Sequence, residues 1–122
     1  MESPYKGKTG FKRLLNAFKY SCSGFKEAHR NEDAFRQEVL LAALLLPLAF
    51  WLEAAAIGRA LMMASVLLVL IVELLNSAIE ATVDRISLDD HQLAKRAKDI
   101  GSAAVLLAIV NLLMVWLFVL LG

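Results

Sequence analysis

Ile100-Gly-Ser-Ala-Ala-Val-Leu-Leu-Ala-Ile-Val-Asn-Leu-Leu-Met-Val-Trp-Leu-Phe-Val-Leu-Leu-Gly122 is a run of 23 residues without a charged side chain. About 20 such residues, coiled as an α-helix, cross the hydrocarbon of a bilayer. The run is too long and too uniformly apolar for a strand. Working back, Ala60 to Val72 is a second charge-free run, of 13 residues, closed by Glu73. Val39 to Leu52 is a third, of 14 residues. It is short by itself, but extension back through Ala34 and Phe35 gives a full span, with Arg36, Gln37 and Glu38 at one interface and Trp51 anchoring the other. Pro47 in such a span is tolerated where neighbouring groups satisfy the freed backbone.

The whole chain is 122 residues, 59% hydrophobic and 20% charged. A soluble domain is nearer 45–50% apolar, and a chain this short cannot bury such an excess in its own core. Lipid or partner subunits must cover it. The expected architecture is all-α and integral to the membrane, with one membrane domain over 1–122. A surface-helix region takes 1–32. Spans follow over 34–52, 54–86 and 98–121, with a polar connection over 87–97. The second span carries its helix beyond the apolar layer. Helices that bury so few of their own faces call for a homo-oligomer.

Thirteen Lys and Arg balance twelve Asp and Glu, a net charge of +1. That argues against a nucleic-acid partner, which selects a basic surface. Cys22 is the single cysteine, which excludes an intrachain disulfide and a cysteine zinc site. No apolar run starts early enough for a cleavable signal, so the N-terminus is expected to be retained. Phe11, Leu14, Leu15, Phe18, Cys22 and Phe25 recur at spacings of three and four among seven of the cations. That is an apolar stripe on a basic helix, suited to the headgroup layer. The same cations, with Arg85, Lys95, Arg96 and Lys98, lie on one side of the layout and Arg59 alone on the other. The positive-inside rule puts the N-terminus in the cytoplasm and the C-terminus outside, in an inner (cytoplasmic) membrane.

Chemistry concentrates on the second span. Glu73, Glu80 and Asp84 fall within about 40° on a helix, flanked by Asn76 and Ser77. A solvated extension of the helix would account for Asp84 and in part for Glu80. It does not account for Glu73, which follows a long apolar run, and acids at that depth mark function. One such carboxylate can hold Mg²⁺ beside phosphate oxygens, and another, partly buried, can act as a base on a hydroxyl. Glu32, before the first span, is a further candidate metal ligand or an ordinary helix-start acid. Lys95, Lys98, Asp99 and Ser102 cluster at the start of the third span, either as phosphate contacts or as plain interfacial charges. His91 reads as a surface histidine. Gly7-Lys8-Thr9 is not a P-loop, since the glycine required five positions earlier is Glu2.

Glu73-Leu-Leu-Asn-Ser-Ala-Ile-Glu80, Val83-Asp84-Arg85 and Ala97-Lys98-Asp99-Ile-Gly-Ser102 resemble the prokaryotic diacylglycerol kinase family. Asn31-Glu32, Ala34-Phe35-Arg36-Gln37-Glu38, Trp51-Leu52 and Arg59 extend the resemblance to nearly the whole chain. It implies a homotrimer of three-span subunits with an N-terminal surface helix. It also implies transfer of the ATP γ-phosphate to diacylglycerol, with Mg²⁺ as cofactor. Glu73 then matches the general base, with Asn76 beside it, and Glu32 and Glu80 match the metal ligands. Arg13, Tyr20, Asp89, Asp90, His91, Lys98 and Asp99 match nucleotide contacts. Arg13, Ala34, Phe35, Arg36, Gln37, Glu38, Trp51, Leu52, Glu53, Ala54, Arg59, Glu73, Ser102 and Trp116 match the lipid-substrate region. The loop Asp89-Asp90-His91 departs from the family pattern, which has a glutamate and an aromatic before the histidine. Two rivals are a polyprenol (undecaprenol) kinase of the same family and a small proton- or ion-coupled transporter. The transporter reading would use Glu73 but leave Lys98 and Asp99 without a role.

Overall fold

The computed structural model describes residues 10–53, 55–86 and 92–122. Among them are four helices: α1 (Phe11–Asn31), α2 (Asp33–Leu52), α3 (Ala56–Ile86) and α4 (Gln92–Leu121). The last three are long and apolar enough to cross a membrane, and the protein is read as a membrane protein. Asp89, Asp90, His91 and Ala54 lie outside the described residues.

The 31 residues of α3 rise about 46 Å, against roughly 30 Å of hydrocarbon. A third of the helix must therefore stand clear of the apolar layer. That third is the stretch that carries Asn76, Glu80 and Asp84. α4 is nearly as long and starts at Gln92, so 92–97 of the polar stretch are its first turns. These turns hold their charge through helical pairing, Lys95 Nζ meeting Asp99 Oδ2 at 2.7 Å. The Lys98–Asp84 ion pair puts the charged extensions of α3 and α4 at the same end of the bundle. α2 packs against α3 and joins it through a short connection at the other end. Its start at Asp33 therefore comes to the charged end too.

The core is a narrow seam of Ala42 from α2, Val66 and Val69 from α3, and Ala108 and Leu112 from α4. The alanines let backbones approach, which is how helices associate where lipid is as apolar as the side chains. Beyond the seam the helices face outward. Only 17%, 33% and 11% of the apolar windows of α2, α3 and α4 are buried within the chain, which leaves most of each for lipid or for neighbouring subunits. The aromatic stripe of α1 is also uncovered: Phe11 and Phe18 are 74% and 69% exposed.

Away from the charged end, one polar staple ties α4 to α3. The Trp116 indole N–H donates to Met62 O at 3.2 Å and to Ser65 Oγ at 3.1 Å. Ser65 Oγ in turn donates to Met62 O at 2.7 Å. Met62 and Ser65 are buried, so the indole satisfies groups that hydrocarbon could not. Trp116→Phe keeps the ring volume but removes the donor. It is expected to lower stability by about 1 kcal/mol, measured as a fall in the thermal unfolding midpoint of the detergent-solubilised protein.

Candidate functional site

Two helices meet at Glu32. The residue closes α1, its N–H donating to Ala28 O at 2.9 Å, and opens α2 with an extended backbone (φ −119°, ψ 109°), its carbonyl accepting from Arg36 N at 3.2 Å. Its carboxylate makes no capping hydrogen bond, so it is not spent on holding the turn. Arg36 does that work instead. Its Nη1 donates to the carbonyls of His29 and Arg30 at 2.7 and 2.9 Å, and its Nη2 pairs with Asp33. A cation on the last carbonyls of α1 complements the negative end of the helix. The guanidinium placed by sequence matching in the lipid-substrate region is thus engaged in the α1–α2 corner.

The corner forms one wall of a cleft of about 730 Å³ between α1 and α3, within the range of small-ligand sites. Glu27, Asn31 and Glu32 line it from one side and Ser77, Glu80 and Asp84 from the other. Burial, and then the charges of Glu80 and Asp84, raise the Glu32 carboxyl above its ordinary value of 4.5. Glu73 lies one turn and more below, buried at 4% exposure, yet near enough to Glu32, Glu38 and Glu80 for their charges to interact. Glu38 reaches in from α2, and its Oε2 is buried without a hydrogen-bond partner. Four carboxylates from three segments therefore converge where α3 leaves its apolar section. Asn76 sits among them. Its amide Nδ2 donates to Glu80 Oε1 at 3.2 Å, while its Oδ1 is buried and unpartnered, a state that costs about 1–3 kcal/mol.

Lys98 joins this group from α4 by pairing with Asp84 Oδ1 at 2.6 Å. Asp99 does not. One residue further round the helix, it pairs with Lys95 and lines a separate shallow depression with Gln92 and Arg96. Arg13 and Tyr20 are exposed on α1 and outside the cleft lining. Phe35 is buried, whereas Ala34, Gln37 and Ser102 are exposed. Trp51, Leu52, Glu53 and Arg59 stand at the far end, about 30 Å along the helices from Glu32 and Glu80. There Arg59 stacks 3.9 Å over the Phe50 ring and its Nε donates to Glu53 O at 3.0 Å. Within one subunit the chain gathers Glu32, Glu38, Glu73, Asn76, Glu80 and Lys98, and leaves the far-end group apart.

Glu27 and Asn31, assigned no site role from the sequence, line the cleft joined by an Asn31 Nδ2 to Glu27 Oε2 hydrogen bond of 3.0 Å. Their signal was Ser21, Gly24, Ala28 and Asn31, a row of small or polar residues beside the aromatic stripe of α1. Small residues there let α1 stand close to α3. Among the described residues no three His, Cys, Asp or Glu side chains form a complete metal cage. Glu32 and Glu80 nevertheless offer carboxylate oxygens to a common space.

The bundle and its acid-lined end define a small polytopic membrane protein with a polar site where its helices leave the apolar layer. Residues 19–120 match the family described as prokaryotic diacylglycerol kinase. A protein named diacylglycerol kinase from Pseudomonas aeruginosa is 58% identical over 120 residues, 98% of each chain. One of the same name from Escherichia coli K12 is 53% identical over 108 residues, 88% of each chain. Another from Helicobacter pylori is 43% identical over 115 residues, covering 94% of this chain and 89% of its own. The chain belongs to the prokaryotic diacylglycerol kinase family.

The pH dependence of Glu32 has a definite sign. Its folded-state value lies above the ordinary one, so the folded protein loses stability as pH rises through the folded value and the carboxylate ionises. Glu32→Gln is expected to raise the thermal unfolding midpoint at pH 7.5. The advantage should close as pH falls toward 4.5, followed by thermal scans across that window.

Proposed function

We propose that the chain is a lipid kinase that transfers the ATP γ-phosphate to the free hydroxyl of 1,2-diacylglycerol, giving phosphatidic acid and ADP. The observation that carries this reading is a buried carboxylate, Glu73, directly below an acid-lined cleft at the end of the bundle, in a chain of this family. Diacylglycerol keeps its tails in hydrocarbon and its hydroxyl at the interface, and ATP comes from water. A site at the junction of the two solvents is where they can meet.

Phosphoryl transfer depends chiefly on positioning and on charge stabilisation. In the proposed reaction the lipid hydroxyl oxygen bonds to the γ-phosphorus as the bond from phosphorus to the β–γ bridging oxygen breaks, and ADP leaves. Glu73 accepts the hydroxyl proton. Its burial withholds the water that would otherwise compete for that carboxylate. Asn76 fixes Glu80 through its amide N–H. Lys98, tethered by Asp84 beside the cleft, offers a positive charge to the phosphates, and Asp99, Arg13 and Tyr20 serve the nucleotide from the outer surface.

Glu32 and Glu80 would hold Mg²⁺. The donor set fits, because Mg²⁺ takes one or two carboxylates and completes its shell with phosphate oxygens and water. Held there, Mg²⁺ would supply positive charge against the phosphates.

We assign the acid-lined end to the cytoplasm, with the far end outside, across the inner membrane. The cations of α1 and those at Arg85, Lys95, Arg96 and Lys98 support this, against Arg59 alone at the far end. α1 lies on the membrane surface, its aromatic stripe in the headgroup layer. The chain works as a homotrimer, in which the exposed positions Ala34, Gln37 and Ser102 near the acid-lined end flank the acyl chains. The support is the large apolar area each protomer leaves uncovered.

The test is a mixed-micelle assay with γ-labelled ATP and Mg²⁺, offering diacylglycerol and undecaprenol in parallel. Label should enter phosphatidic acid. Glu73→Gln should keep the oligomer, judged by its elution volume, and lose about 10²-fold or more of the rate. Wild-type turnover in that variant would remove Glu73 as the base. An unlabelled lipid fraction with wild-type protein would overturn the kinase reading.

A further inference from the structure

α3 and α4 meet beside the acidic cluster at Gly101, which is buried and lies against Asn76. A methyl group built on its Cα would run into the Asn76 amide oxygen. That oxygen is the buried atom without a hydrogen-bond donor. The two observations describe one arrangement. The Asn76 oxygen lies against the bare α-carbon of Gly101, in the space any other residue would fill. The opposite rotation of the amide would turn the oxygen onto the Glu80 carboxylate and replace an attraction with a repulsion. The orientation that leaves the oxygen unpaired is therefore the one that lets Nδ2 donate to Glu80 Oε1 at 3.2 Å.

We infer that Gly101 is a positioning residue: its missing side chain makes the slot that seats the Asn76 amide between α3 and α4 and aims its N–H at Glu80. The inference rests on the kinase reading for its consequence in catalysis, and on the packing alone for the slot. Helix contacts through glycine are common in membranes as a means of close approach. Here the space is taken by a polar side chain from the partner helix rather than by backbone. With a Cβ at position 101, the Asn76 amide, the flexible end of this contact, must rotate. That rotation breaks its hydrogen bond to Glu80, one of the two carboxylates proposed for Mg²⁺, while leaving the lipid-facing surfaces of α2 and α4 as they were.

The experiment is a double-mutant cycle on the full-length protein in mixed micelles, with Gly101→Ala, Asn76→Ala and the pair. Gly101→Ala is expected to lower the maximal rate at least 10-fold. It should also raise the Mg²⁺ concentration for half-maximal rate at least fivefold, with the KM for diacylglycerol within twofold of wild type. A merely structural defect would not move the metal dependence alone. In the Asn76→Ala background, Gly101→Ala should leave both the residual rate and the thermal unfolding midpoint unchanged within error, since the atom it strikes is gone. Wild-type rate and metal dependence in Gly101→Ala, or an equal loss of midpoint in both backgrounds, would overturn the inference. If Gly101→Ala alone does not fold, recovery of a folded protein in the double variant supports the slot, and failure of both overturns it. If wild-type protein phosphorylates no lipid, the kinase reading and the catalytic consequence fall together, and the midpoint cycle still decides whether Gly101 seats Asn76.

Discussion

A carboxylate buried in an apolar helix bundle needs a reason to be there, and the placement of Glu73 organises the rest of this molecule. Thirteen charge-free residues precede it on α3, so it cannot be lifted to water without exposing a turn of leucine and valine. An acid held at that depth is costly. Its neighbours add to that cost: Glu38 from α2 and Glu80 further along α3 carry like charge, and Asn76 between them donates to Glu80. None of these is a cation. The described residues bring positive charge only to the rim, where Lys98 meets Asp84. The cluster is thus over-supplied with negative oxygen, which is the condition expected of a site that receives protons or metal ions.

The two walls of the cleft differ in how they are held. α3 is braced along its length by α4 through the Ala108 and Leu112 seam, the Trp116 staple and the Asp84–Lys98 pair. α1 makes far fewer contacts with the bundle and is fixed chiefly at its C-terminal end, where Arg36 grips its last carbonyls. A rigid acid-bearing wall thus faces a wall anchored at one end. The anchored end is the one that carries Glu32, so the carboxylate facing Glu80 is held by a turn whose carbonyls Arg36 satisfies. The rest of α1 is free to meet the membrane surface.

Much of this was legible because membranes impose simple rules on sequence. Charge-free runs announced the spans, and a period of 3.6 put Glu73, Glu80 and Asp84 on one face without any knowledge of neighbours. Facts that require a partner helix were not legible. Lys98 and Asp99 read as one cluster because they are adjacent, but a step of 100° sends one to Asp84 on α3 and the other to Lys95 on its own helix. The start of α4 at Gln92 was hidden because charged residues look like a connection until their (i, i+4) pairing is seen. Trp116 was matched to the lipid-substrate region by resemblance, whereas its N–H serves buried oxygens on α3. Gly101 gave no signal, since a glycine means something only when the atom opposite it is known.

The far end of the bundle poses the remaining physical question. Trp51, Glu53 and Arg59 form a compact group there, with Arg59 stacked on Phe50 and bonded to the Glu53 carbonyl, about 30 Å from the acids. A single lipid occupies one leaflet, roughly half that depth of hydrocarbon. One molecule cannot touch both groups at once. The contacts made there are with the protein itself: Arg59 closes the α2–α3 connection as a satisfied cation, where Trp51 is almost wholly exposed. A closed connection at that end limits the slide of α2 along α3. Register is what brings Glu38 level with Glu73, because a shift of one residue would rotate Glu38 by about 100° and out of the cluster.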